Sequence, residues 1–305
     1  MRFCLMFPMR AVKHYHRWIA DGDLGQVARI AEEAGFDGIA MSEHPYPDDT
    51  WLSQGGHHAF DPFVALGHMS AATTRIKLIT YVLVAGYRHP YLTAKALASL
   101  DVLSRGRVIA GMAAGYLRAE FEVLGADFAR RGAYLDAAIP AMRAAWAGED
   151  HDSAMFPAHG HTMLPRPVQP AGPPIWLGGN SRPALRRAIR MGDGWSPIAQ
   201  SREMAKITGT PPLESIPELA AAVAEAQAER DTLGRPPLDV AFAPFETASL
   251  RQDGVKAVCS RLRENLNAYA DAGVTWLTIE PASRSLADFR EDVQRIGELL
   301  ISPSR

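Results

Sequence analysis

The sequence predicts a (β/α)8 TIM barrel of the α/β class, and three observations carry that expectation. Short apolar runs alternate with longer amphipathic stretches along the whole chain, eight of each, and such alternation implies a parallel sheet with helical crossovers. One junction recurs, a helix closed by glycine with a strand just beyond it, as in EEAGFDGIAM, RMGDGWSPI and DAGVTWLTI. A chain of 305 residues is also long enough for such a barrel with insertions. Residues 1–305 are therefore read as one barrel domain, with insertions at about 149–174 and 199–213.

The first strand is Arg2 to Pro8, and a loop with His14, Tyr15, His16 and Trp18 follows. Leu24, Val27, Ala28, Ala31 and Ala34 keep a helical spacing up to Gly35 and predict the first helix. Strand two, Phe36 to Ser42, delivers Glu43 and His44 at its end, ahead of a polar loop from Pro47 to His58. Asp61-Pro62 opens the second helix, strand three runs from Ile76 to Val84, and the third helix from Tyr91 to Leu103. Strand four, Val108 to Ala113, precedes helices near 118–124 and 134–146. Residues 149–174 are polar and proline-rich and read as an inserted loop or hairpin. After an irregular stretch at 200–212, Ser215-x-x-Glu218 is a capping box that starts a helix running to about Leu233. Strand seven is Leu238 to Ala243, and the next helix carries Val255, Val258, Leu262, Leu266 and Tyr269. Strand eight is Val274 to Ile279, and a last helix follows Ser285.

The segment Pro173 to Ile198 holds the most explicit chemistry. A short strand, Ile175-Trp176-Leu177, meets Gly178-Gly179, and Asn180-Ser181 opens a helix with Pro183 in its first turn. Two residues without side chains before a helix N-terminus present backbone N–H groups and a positive dipole end to an anion, typically a phosphate. An ordinary tight βα turn has the same residues, so the motif alone leaves both readings open.

A formal net charge of −2 favours neither nucleic acid nor an anionic membrane surface as partner. No apolar run is long enough to span a bilayer and no secretory leader is evident, so a soluble, cytoplasmic protein acting on a small-molecule substrate is expected. Cys4 and Cys259 have no metal-like spacing, and no metal site is expected. Chemistry in such barrels sits at the C-terminal strand ends. The residues there are Phe7-Pro8, Glu43-His44, Tyr81-Val82, Ala113 to Gly115, Gly178 to Ser181, Ser196 and Glu280. Of these, Glu43, His44 and Glu280 can move protons near neutral pH.

Four stretches together resemble one family: AGFDGIAMSEH (34–44), TYVLVAGYRHP (80–90), LDVLSRGRVIAGMAAGYLRAEFEVLG (100–125) and IWLGGNS with MGDGW (175–195). They are similar to the luciferase-like monooxygenase superfamily, in its deazaflavin branch, whose members use coenzyme F420. The match runs to about Ile198 and resumes from Val255. The resemblance implies a (β/α)8 barrel, often a homodimer, that transfers a hydride between F420 and a small organic substrate. It implies that His44, paired with Glu43, handles the proton; relatives more often carry aspartate at the first position. It places a cis peptide at Tyr81-Val82, and cofactor contacts at Thr80, Tyr81, Val82, Ala113, Ala114, Gly115, Tyr116 and Glu120. Gly178, Gly179, Asn180 and Ser181 then hold the cofactor phosphate. Ala119 stands where many relatives have an asparagine near the ring. Two other readings remain: an FMN-dependent monooxygenase of the same family using reduced flavin and O2, and a non-catalytic flavin-binding barrel.

Overall fold

The computed structural model describes residues 1–9, 15–20 and 22–304. Its strands are β1 (Arg2–Met6), β2 (Gly38–Met41), β3 (Lys77–Val84), β4 (Val108–Ala113), β5 (Ile175–Gly178), β6 (Gly194–Ser196), β7 (Asp239–Phe242) and β8 (Trp276–Ile279). They pair in chain order, all parallel, and β8 returns to β1 through the register Arg2 to Trp276 and Leu5 to Ile279. The predicted (β/α)8 barrel is the fold observed.

Helices follow in the order α1 (Tyr15–Ala20), α2 (Leu24–Glu33), α3 (Asp49–Ser53), α4 (Pro62–Ala71), α5 (Pro90–Ser104), α6 (Arg118–Val123), α7 (Arg131–Ala147), α8 (Arg182–Met191), α9 (Arg202–Thr208), α10 (Ile216–Thr232), α11 (Leu250–Asp271) and α12 (Leu286–Ile296). Three of them replace expected loops. The α1, α3 and α9 helices span 6, 5 and 7 residues, too short for an apolar stripe to repeat. His14, which the sequence places in the first loop, lies outside the described residues. In α11 the predicted stretch from Val255 is preceded by one turn from Leu250, and Gly254 at φ +76° kinks the chain between the two. The predicted capping box forms with a shift. Ser215 Oγ accepts from Glu218 N–H at 3.3 Å, while the Glu218 carboxylate takes the N–H of Glu214 at 2.8 Å.

The inside of the barrel explains why chemistry is confined to one end. Trp176 and Trp276, both 1% exposed, meet edge to face at 5.2 Å within it. Their bulk is accommodated by Gly194 and Gly38, where a Cβ would stand 2.2 Å from Trp176 and 3.1 Å from Trp276. Two large rings fill the N-terminal half as a packed core. Arg107, 7% exposed, completes that end by donating to the carbonyls of Ser70, Thr73, Ile76 and Ser104 at 2.7–3.2 Å. Asp101, fully buried, accepts the N–H groups of Val168 and Gln169 and ties the 149–174 segment to the wall. Among the described residues no helix is long and apolar enough to cross a membrane.

Candidate active site

A cavity of about 750 Å3 opens at the C-terminal ends of the strands. It brings together residues far apart in the chain. Glu43 and His44 come from the end of β2, Tyr81 and Val82 from β3, and Ala113, Ala114, Gly115 and Tyr116 from the end of β4. Gly178, Gly179, Asn180 and Ser181 close it between β5 and α8. Ser42 and Ser196 also line it; both are buried, and neither hydroxyl has a hydrogen-bond partner. The Tyr81–Val82 peptide is cis, and the β3–β4 register shifts between Thr80 and Leu83.

Two residues expected to touch a cofactor stand elsewhere. Thr80 is fully buried, and its hydroxyl donates to the Gly111 carbonyl at 2.9 Å. A Cβ at Gly111 would lie 2.0 Å from Thr80 O, so glycine is what lets β3 lean onto β4 here. Thr80 is thus a wall-forming residue behind the cavity. Glu120, fully buried on α6, is the second: it turns to His44 rather than to the cavity.

The His44–Glu120 pair is the site's main electrostatic feature. His44 Nδ1 lies 3.0 Å from Glu120 Oε2, with Tyr87 Oη donating to the same oxygen at 2.9 Å and Tyr46 N–H to Oε1 at 3.1 Å. Three donors compensate one buried carboxylate, as such a group requires. Burial and the neighbouring Glu120 charge push the Tyr87 phenol up, so it stays a donor. An ionised carboxylate only accepts, so the hydrogen bond places a proton on Nδ1, and the neutral form of the ring then offers Nε2 as an acceptor. Trp51 lies against His44 with centroids 4.5 Å apart, and His57 meets its edge at 4.8 Å. A carboxylate on one nitrogen and rings on the sides hold the imidazole in one orientation. Glu43, by contrast, accepts the Val84 N–H at 2.7 Å and forms an ion pair with Arg88. It fastens the end of β2 to the end of β3.

The anion-binding end also differs in part from expectation. Gly179 N–H donates to the Ser196 carbonyl at 3.2 Å, and Gly179 takes φ +115°, where side chains are strained. Asn180 is engaged on both side-chain atoms, donating to the Ile198 and Pro211 carbonyls and accepting the Ile198 N–H. Ser181 Oγ caps Ala184 N–H at 3.3 Å. Ser181 and Arg182, the N-cap and first residue of α8, carry their N–H groups at the positive end of the helix dipole. Sequence reasoning missed two cations in the same wall, Arg131 and Arg187. Arg187 is held by both Asp136 oxygens, at 2.6 and 3.1 Å, and a Cβ on Gly132 would stand 2.8 Å from its guanidinium. Arg131 donates to the Gly115 and Phe128 carbonyls and stacks over the Phe128 ring at 3.9 Å. Among the described residues no group of three or more His, Cys, Asp or Glu could hold a metal ion.

Comparison with known proteins points the same way. The model of the luciferase-like monooxygenase family matches residues 1–258. An F420-dependent glucose-6-phosphate dehydrogenase of Beutenbergia cavernae is 35% identical over 181 residues, covering 58% of this chain and 52% of the relative. The chain thus spans about half the length of that relative. A monooxygenase, RslO1 of Streptomyces bottropensis, superposes with a TM-score of 0.76 at 18% identity, over 100% of both chains. The coenzyme F420-dependent tetrahydromethanopterin reductase of Methanopyrus kandleri gives 0.71 at 15% identity, over 100% of this chain and 99% of that one. At these identities the two structures speak to the fold.

Proposed function

We propose, because this chain belongs to the luciferase-like monooxygenase family, that it is an oxidoreductase exchanging a hydride between coenzyme F420 and a small organic alcohol or ketone. The observation that carries the reading is the His44–Glu120 pair, 3.0 Å apart and fixed at the cavity wall. Oxidation of an alcohol removes a C–H bond with its electron pair and an O–H proton, and the proton needs a positioned base. His44 Nε2, left as acceptor by the Nδ1–Glu120 bond, takes that proton. In the reverse direction it returns the proton to the carbonyl oxygen. The imidazolium formed in between is stabilised by Glu120, as a carboxylate does for a catalytic histidine.

The residues fit a flat, anionic cofactor. Ala113, Ala114, Gly115 and Gly178 are small residues on the neighbouring ends of β4 and β5, and a Cβ on Gly178 would stand 3.3 Å from Val82. Val82 and Tyr81 form the wall behind, and Tyr116 the rim. Arg131, Arg187 and the N–H groups of Ser181 and Arg182 would hold a phosphate. F420 bound there would accept or donate the hydride; the protein supplies orientation, anion binding and proton handling. We place proton transfer on His44 alone and give Glu43 the positioning of the β2–β3 mouth. A homodimer belongs to the same reading.

The functional relatives support F420 over FMN, since an F420-dependent dehydrogenase is among the similar sequences. The experiment is turnover under nitrogen. With oxidised F420 and a panel of secondary alcohols, the visible absorbance of the coenzyme should fall as ketone accumulates in equal amount. Product that forms only with reduced flavin and O2 would assign the chain to the monooxygenases instead.

A further inference from the structure

Two guanidinium groups gather over one aromatic ring at the edge of the cavity. Phe128, in the turn before α7, and Arg131, the first residue of that helix, line the cavity wall. The Phe128 ring packs edge to face on the fully buried Phe121 at 5.3 Å, which fixes it. The Arg131 guanidinium lies over that ring at 3.9 Å, and the guanidinium of Arg118, the first residue of α6, at 4.3 Å. Arg118 is exposed, so the ring joins the cavity wall to the outer surface. Inward, Arg131 is followed by Gly132, where a Cβ would stand 2.8 Å from the Arg187 guanidinium. Arg187, Arg131 and Arg118 thus form a track of cations from the anion-binding wall to the surface.

The three differ in how their charge is met. Arg187 has the Asp136 carboxylate. Among the described residues no carboxylate comes within ion-pair distance of Arg118 or Arg131. The acidic residues nearest in the chain do not answer them: Glu122 is exposed on α6, and Asp127 caps the N–H groups of Ala129 and Arg130. Arg131 uses Nε and Nη1 on the Gly115 and Phe128 carbonyls, which leaves its Nη2 group. Arg118 has its ring contact and, among the described residues, no hydrogen bond. A guanidinium stacked on a ring keeps its N–H donors in its own plane, open to a carboxylate. Two like charges over one ring repel each other, the face of the ring offsets part of that, and an arriving anion offsets more. A ligand that engages Arg118 as well as Arg187 is extended and carries more than one negative charge.

We propose that Phe128, Arg118 and Arg131 form a subsite for a chain of carboxylates, the oligoglutamate tail that F420 carries beyond its phosphate. The identity of the ligand rests on the reading of the cavity as an F420 site; the multivalent anion class stands on the cation track alone. The test is calorimetric titration with F420 bearing no glutamate and with F420 bearing the oligoglutamate chain. The chain should tighten binding about three- to tenfold, the range of a few exposed charge pairs. In about 1 M salt, where the Debye length falls to about 3 Å, that preference should shrink to within twofold. Arg118→Gln should weaken the preference and Arg118→Glu abolish it, with affinity for the chain-free form kept within twofold; circular dichroism identifies the variants that fold. Arg263→Glu makes the same charge change at an exposed position of α11 and should leave the preference intact. Equal affinity of the two forms for the wild type would overturn the subsite and leave the hydride-transfer reading standing. A preference kept in folded Arg118→Glu, or lost equally in Arg263→Glu, would also overturn it. Binding of neither form would overturn the F420 reading and the subsite together.

Discussion

His44→Ala is expected to lower kcat with F420 and its alcohol by about 10²–10⁴-fold, the usual worth of a positioned general base. Cofactor affinity should stay within about threefold, since His44 holds a proton and not a phosphate. The pair makes the expectation sharper than a single deletion. Glu120→Gln keeps a hydrogen-bonding partner at Nδ1 but removes the negative charge, and an amide oxygen turned to Nδ1–H still orients the ring. Turnover in that variant should fall less than in His44→Ala, because the ring keeps its orientation while the imidazolium formed on proton transfer loses its neighbouring negative charge. The double variant should be no slower than His44→Ala, because Glu120 acts through His44. Turnover of His44→Ala within a few fold of the wild type would remove His44 from the chemistry and return Glu280 or water to consideration.

Arg187→Ala is expected to weaken binding of F420 by about 10–10²-fold, the equivalent of the ~1.5–3 kcal/mol typical of a charge-assisted hydrogen bond. The guanidinium is already held by two bonds from Asp136, so little side-chain freedom is lost when an anion arrives. Arg187→Lys should recover part of the affinity and none of the forked geometry. Asp136→Asn should lie between them, its guanidinium present but less fixed. In all three, kcat at saturating cofactor should change little, because Arg187 is assigned to anion binding and not to proton transfer. Titration of each purified variant with the oxidised coenzyme gives the dissociation constants directly. An Arg187→Ala affinity within twofold of wild type would leave the anion to Arg131 and the helix terminus.

Much of the barrel was legible because its signals are local. A glycine that closes a helix and a short apolar run are written in consecutive positions, and eight such runs alternating with helices lead to a closed sheet. The strand-end position of His44 follows from the same counting. Glu120 was not legible in its role: its partner lies 76 residues away, and only packing decides whether a helical glutamate faces a cavity, solvent or a histidine. Arg187 shows the same limit. Its partner Asp136 lies 51 residues away on another helix, and no local pattern in α8 names that partner. Thr80 and Asn180 were placed in the right segments, but side-chain direction within a strand or turn depends on the partner strand: Gly111 for the first, the 198–211 chain for the second. The short α3 helix matters most among the missed elements, since it carries Trp51 onto His44.

The most direct test of the central claim, that the cavity between β2 and α8 is a deazaflavin hydride site, is parallel titration of the protein with oxidised F420 and with FMN, followed by oxygen-electrode measurement during turnover. The hydride-transfer account predicts that F420 binds at least tenfold more tightly than FMN and that product forms with no coupled oxygen uptake. Tight FMN binding with oxygen consumed in proportion to product would contradict it.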